Sequence, residues 1–293
     1  MRKHKFFTNL VYLGTAFCLI ARPVLLTRAQ SPSSNMAAGQ DVHQLVREVI
    51  RHEIDSEVRD HSLWRYREVH EEGGKQKILD VCQTKEGEIQ RLIAINGQPL
   101  SPKQQQAEDQ RIQKLIRHPD QFQQLKKKQR EDADQIRNLL KMFPEAFKFQ
   151  PGGMQGNLIK VNFTPNPKFH PTTRPAQVFH HMTGNLVIDG KEKRIVEING
   201  RLTDEVKFGG GILGHLDKGG TFAVKQQDVG SGHWEVTSMD INMNGKVLFF
   251  KTVTVREKET YTDFRRLPDN LPPSQAVELL IKDNKIEKAK SSD

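Results

Sequence analysis

The residues whose types and spacing come nearest to chemistry are a glycine run, a series of histidines, one serine and one cysteine. Gly209-Gly210-Gly211-Ile212-Leu213-Gly214 follows the strand-like Val206-Lys207-Phe208. It fits G-x-G-x-x-G, with which a strand-to-helix turn brings backbone N–H groups against a pyrophosphate. That chemistry needs a helix next, yet Gly219-Gly220 arrives five residues later and another strand begins. No βαβ unit can form, so the run reads as a turning connection, and no nucleotide or other cofactor is expected.

His43, His52, His61 and His70 recur every nine residues. Nine residues is two and a half helical turns, so His43 and His52 face opposite ways on a helix and do not converge on a metal. His52-Glu53 opens like a zincin motif, but Ser56 stands where the second histidine is needed. His180-His181 point to opposite faces if extended. No metal site is expected. Ser231 lies in Gly230-Ser231-Gly232, which is not the G-x-S-x-G elbow. Cys82 ends the strand-like run 77–82 and reads as a buried, inert thiol. Glu235, Asp240, Glu257 and Asp263 are assigned to solvated strand faces, and Asn162-Phe163-Thr164 matches the glycosylation pattern inside a strand. No catalytic residue emerges. A hydrolase would need polar side chains clustered in a cleft that the sequence does not announce.

One constellation remains. Phe222, Val224, Trp234, Val236, Met239, Ile241, Met243, Leu248 and Phe250 concentrate on consecutive antiparallel strands. If that sheet curves, their shared face is either a closed core under helices or a concave groove. Met and aromatic side chains adapt to irregular apolar ligands, so the groove would suit an acyl chain.

The elements that must position these residues follow from periodicity. Asp41 offers an N-cap, and Val42, Leu45, Val46, Val49 and Ile50 recur at helical spacing to about Val58. Three short runs, 63–70, 78–84 and 89–95, read as an antiparallel meander ended by Asn96-Gly97. Residues 102–141 are rich in Gln, Lys, Arg, Glu and Asp, and Pro119 divides them into two helices, the second capped by Asp120. Its basic run Lys126-Lys127-Lys128-Gln129-Arg130 reads as a solvated face, with peripheral contact to anionic lipid as the other reading. Ile159, Val161 and Phe163 alternate with polar residues as a half-buried strand, and runs at 185–189, 194–202, 221–226 and 233–243 continue the sheet. Around Thr237 the apolar parity slips, which predicts a β-bulge and a curved sheet. Asn244-Gly245 predicts a tight hairpin turn. A short helix follows Pro272-Pro273, with Val277, Leu280 and Ile281 inward and disorder expected beyond Asp283. Strands, then helices, then strands is the order of an α+β fold: one unit over 41–268 with a helical insertion at 101–147.

The amino terminus carries its own message. Met1-Arg2-Lys3-His4-Lys5 precedes an apolar run, Leu10 to Ala21, too short to span a bilayer. Thr27-Arg28-Ala29 offers small residues for signal-peptidase cleavage before Gln30, and 30–40 reads as a spacer. Export to the periplasm or beyond is therefore expected. The net charge of +9 falls to +4 without the five Lys and Arg of residues 1–29. With no aromatic-interleaved basic stripe, the footprint of a nucleic-acid binder is weak. Only Cys82 would remain after cleavage, so no internal disulfide is available.

In its order of elements the chain resembles the periplasmic lipoprotein-sorting proteins of the LolA/LolB type and the related envelope-stress regulator domain, over roughly residues 41–268. A strand running from Gly156 into Pro165-Asn166-Pro167-Lys168-Phe169 is similar to that family's strand ending in a Pro-Gly-Lys-Phe-like turn. The run Arg91-Leu92-Ile93-Ala94-Ile95-Asn96-Gly97-Gln98-Pro99-Leu100-Ser101 also resembles uncharacterised exported proteins of acidobacteria. The resemblance implies a curved half-barrel with helices filling its concavity and a non-enzymatic envelope protein that binds a lipid or lipoprotein acyl chain. The alternative is an interaction module whose charged helices 102–141 meet a partner protein of the envelope.

Overall fold

Alternation of apolar and polar residues in the strands, and helical spacing in the segments between them, give an α+β structure. The computed structural model describes residues 42–247 and 251–291. Among these residues thirteen strands form one antiparallel sheet that does not close. In chain order the elements are α1 (Val42–Arg59), β1 (Leu63–Glu72), β2 (Lys75–Thr84), β3 (Gly87–Ile95), β4 (Gln98–Pro99), α2 (Pro102–Arg117), α3 (Pro119–Ala146), β5 (Phe147–Gln155) and β6 (Leu158–Pro165). After a 3₁₀ turn (Pro175–His181) come β7 (Met182–Asp189), β8 (Arg194–Leu202), β9 (Val206–Phe208), β10 (Gly214–Leu216), β11 (Thr221–Asp228), β12 (Trp234–Val247), β13 (Lys251–Leu267) and α4 (Pro273–Ser291). The sheet order is β4-β3-β2-β1-β13-β12-β11-β8-β7-β6-β5, with β10 paired to β12 and β9 to β10.

Directly paired residues share a face, so the register shows what each face carries. Val161, Leu186, Ile198, Val224 and Met239 are successive partners from β6 to β12, and the row continues into Glu259 and His70. The neighbouring row runs Phe163, Gly184, Gly200, Phe222, Ile241, Glu257, Glu72. One face of one sheet thus turns from apolar to acidic between β12 and β13. The paired glycines are spacing devices. A Cβ on Gly200 would lie 2.1 Å from the Phe222 ring, and one on Gly184 would lie 2.6 Å from that of Phe163, so both rings lie flat across the strands.

Helix α1 covers the apolar half: Leu45, Val46, Val49 and Ile50 are all buried, with Leu139 and Phe143 of α3 beside them. Phe143, Phe147, Phe163 and Phe179 join this core with ring centroids 4.7–6.2 Å apart. At the other end, alternation sends Val81 to the acidic face and Cys82 to the opposite one. There Cys82 and Ile89 are packed with Ile112, Phe122, Val277 and Leu280. The buried thiol expected at Cys82 is found.

The bulge lies where the parity slip puts it: Lys225 pairs with Ser238 and Gln226 with Val236, leaving Thr237 extra. Several other expectations fail. Asn244-Gly245 is not a turn, because β12 continues to Val247 and pairs with both β13 and β10. Gly245 is needed instead because a Cβ there would lie 2.2 Å from the His215 carbonyl oxygen. Helix α3 begins at Pro119 with His118 at the N-cap, so Asp120 sits in the first turn, where its charge favours the helix dipole. The strand at Phe147–Gln155 was hidden by Pro151 and the glycines after it, which the sheet absorbs at a register shift on its edge. Helix α4 runs to Ser291, past Asp283. Asp41 and residues 1–40, with the signal-peptide and spacer assignments, lie outside the described residues. No helix among the described residues is long and apolar enough to cross a membrane.

Candidate functional site

Where α3 crosses the sheet, packing is incomplete. A cavity of about 120 Å³ is lined by Ile136, Leu139, Leu140 and Phe143 of α3 and by Phe179, Met182, Ile195 and Ile198. Phe222, Val224, Val236 and Met239 complete its apolar wall, and Glu53, Gln226 and Tyr261 contribute its polar edge. Strands β7, β8, β11 and β12 supply most of these side chains, and the register shifts on β8 and β12 bring the three-residue steps Ile195–Ile198 and Val236–Met239 to one face.

Of the nine residues singled out by sequence, these four reach the cavity. Ile241 and Met243 are buried in the core beyond its lining. Trp234 points elsewhere, into a polar cleft on the far side of Arg194, whose guanidinium lies 5.6 Å from the indole centroid. Leu248 and Phe250 lie outside the described residues.

Glu53 fixes the boundary between cavity and cleft. Its side chain is 1% exposed and accepts from Arg194 Nε at 3.1 Å, Arg194 Nη2 at 3.0 Å, the Ile195 amide at 2.7 Å and Gln226 Nε2 at 2.7 Å. These four donors, two of them from the Arg194 guanidinium, satisfy the buried carboxylate and tie α1 to β8 and β11. Glu53 belongs to the zincin-like pair His52-Glu53, and both members have structural partners: His52 Nδ1 meets the Lys193 carbonyl at 3.1 Å.

The polar cleft, about 790 Å³, holds Asp60, Ser62 and His233, the residue types of a nucleophile relay. Their geometry is not that of a relay. Asp60 Oδ2 at 3.2 Å and Ser62 Oγ at 3.4 Å both address His233 Nδ1, whereas a relay engages the two ring nitrogens separately. The Ser62 hydroxyl also accepts from the Trp64 indole at 2.8 Å. Burial alone would raise the Asp60 carboxyl, but hydrogen bonds from Ser62 and the neighbouring His233 outweigh it and hold it below the usual range.

Across Tyr261 from the apolar cavity lies a second, polar cavity of about 610 Å³ between β1–β2–β3–β13 and helices α2 and α3. Glu68, His70, Glu257 and Tyr261 open onto it, with Lys77, Arg111, Lys128 and Asp132 around its rim. Glu68, Glu257 and Glu259 are 1%, 4% and 0% exposed. Glu257, assigned by sequence to a solvated face, is therefore buried: α2 and α3 cover the strand face that alternation alone marks as polar. His70 Nδ1 lies 2.9 Å from Glu259 Oε1 and 3.4 Å from Glu257 Oε1. Tyr261 donates its hydroxyl to Glu259. Burial, then the charges of Glu259 and Glu68, push the Tyr261 phenol well above its ordinary range. Local sequence patterns do not show this cluster, because its members come from β1 and β13, almost 190 residues apart at His70 and Glu259. The alternation Glu68-x-His70-x-Glu72 and Glu257-x-Glu259-x-Tyr261 was the available signal.

The helical insertion uses one side for the core. Ile112, Phe122, Ala133, Ile136 and Leu139 are buried, and Lys127, Lys128 and Arg130 are exposed as expected of a solvated face. Comparison with protein-family models, with curated proteins and with solved structures gave no match.

Proposed function

We propose that the chain is an exported, non-enzymatic envelope protein that holds a hydrophobic ligand, the acyl chain of a lipid or lipoprotein, between its sheet and α3. The observation that supports this is the cavity itself: an unfilled space bounded by apolar side chains on all but its Glu53, Gln226 and Tyr261 edge. Interiors normally pack without voids of this size. A cavity of roughly 150 Å³ with a comparable lining stays dry and accepts a benzene-sized guest. About 120 Å³ therefore suits a short stretch of hydrocarbon, and a full acyl chain enters by lifting α3 from the sheet. The likeness in element order to the lipoprotein-sorting proteins supports the same reading, as does the signal-peptide-like amino terminus.

Native mass spectrometry of the purified protein, before and after delipidation, tests it. A co-purifying lipid-sized mass that disappears in Val224→Trp, which fills the cavity, supports the carrier reading. A bare chain that takes up no added fatty acid or phospholipid overturns it.

A further inference from the structure

We propose that Glu68, His70 and Glu259 form a binding site for one divalent transition-metal ion, of the class of Zn²⁺ or Mn²⁺, at the head of the polar cavity. One donor atom from each lies within 4.8 Å of the others. Ligands about 2.0–2.2 Å from a shared Zn²⁺ sit at most about 4.4 Å apart, so a small closure brings all three into coordination.

The backbone sets this geometry. Glu68 and His70 occupy alternate positions of β1, Glu259 and Tyr261 alternate positions of β13, and the register pairs Glu68 with Tyr261 and His70 with Glu259. All four therefore project from one sheet face, on rungs separated by the Val69–Thr260 pair. Glu257, the next same-face residue on β13, supplies a further carboxylate 3.4 Å from His70 Nδ1.

The imidazole is arranged as a ligand's would be. Nδ1 faces the carboxylates, and Nε2 lies 3.5 Å from Glu72 Oε2. A carboxylate on the second ring nitrogen orients a metal-bound histidine and raises its basicity. Tyr261 plays the matching part for Glu259, its hydroxyl engaging Oε2 and leaving Oε1 toward the imidazole.

Burial points the same way: Glu68 and Glu259 are 1% and 0% exposed, so their donor atoms are held in place beside the imidazole. Mixed imidazole and carboxylate donors fit Zn²⁺ and Mn²⁺ better than the all-oxygen sets of Ca²⁺ or Mg²⁺. The polar cavity gives the ion its entry path. This site stands apart from the acyl-chain reading, because Tyr261 walls it off from the apolar cavity.

The purified protein, stripped with chelator and dialysed, is titrated with Zn²⁺ and with Mn²⁺. Bound metal is read by elemental analysis and Tm by thermal melting. One equivalent of at least one ion should be retained, with a rise in Tm. His70→Gln and Glu259→Gln should each weaken binding by more than the roughly 10–100-fold that loss of an outer partner costs. Asp240→Asn, exposed on β12, should leave it unchanged. A folded wild-type protein that retains neither ion overturns the proposal, and so does undiminished binding in both ligand variants. If either variant fails to fold, Glu68→Gln takes its place and the wild-type titration still decides.

Discussion

The Tyr261 hydroxyl donates to Glu259, while the ring that carries it walls the apolar cavity. One side chain therefore separates an oily compartment from an acidic one, and both faces of that partition constrain its protonation.

Alkaline titration reports this constraint. The phenol is pushed above its ordinary value near 10 in the folded chain, so between that value and the higher folded one the native state keeps a proton that the unfolded state has released. Stability is then full below about pH 10 and falls as the pH rises further. Phenolate absorbance from Tyr261 should appear only together with loss of near-UV circular dichroism. Tyr261→Phe should flatten the decline of stability above pH 10, and an unchanged slope would assign it to another group.

Glu53 gives a second expectation. Truncation to Ala leaves the Arg194 guanidinium and the Gln226 amide without their carboxylate in a buried setting. Breaking one side of a buried pair costs about 3–5 kcal/mol, so the urea midpoint of Glu53→Ala should drop accordingly. A loss under about 1 kcal/mol would mean that water reaches Arg194 and that α1 is held by its apolar stripe alone.

Gly245 tests the three-strand junction. It pairs with Val253 on one side and Leu216 on the other, and a side chain there meets the His215 carbonyl. Gly245→Val should push β10 off β12 while β12 and β13 stay paired. Hydrogen exchange should then quicken at residues 214–216 and remain slow at the neighbouring β12–β13 amides. Equal protection in both proteins would show that β10 is held by other contacts.

Strand periodicity made most of the sheet legible, down to the single extra residue at Thr237, because alternation records which face is buried. The same rule misled at Glu257. A polar strand face reads as solvated, and only the tertiary placement of α2 and α3 covers it. Asn244-Gly245 failed for a related reason: local turn preference cannot register a third strand whose close approach demands the glycine. The apolar wall was half legible. Phe222, Val224, Val236 and Met239 share it, but Trp234 lies in the polar cleft beside Arg194. Glu68, His70 and Glu259 belong to one cluster only because β13 returns beside β1, a pairing that no local pattern encodes.

The main run of the sheet, β4 to β5, ends in two borders, and both are short of free donors. At one, β4 covers only Ala94 and Ile95 of β3 and ends in Pro99, while the Glu88 and Leu92 amides of β3 donate to Gln129 and Glu108; at the other, β5 carries Pro151 and a register shift between Pro151 and Gly153. Proline withholds an N–H, and a bulge turns the strand out of line, so neither border presents the straight run of free amides that a strand from another chain would zip onto. The main run of strands can remain unclosed at these two borders without inviting another.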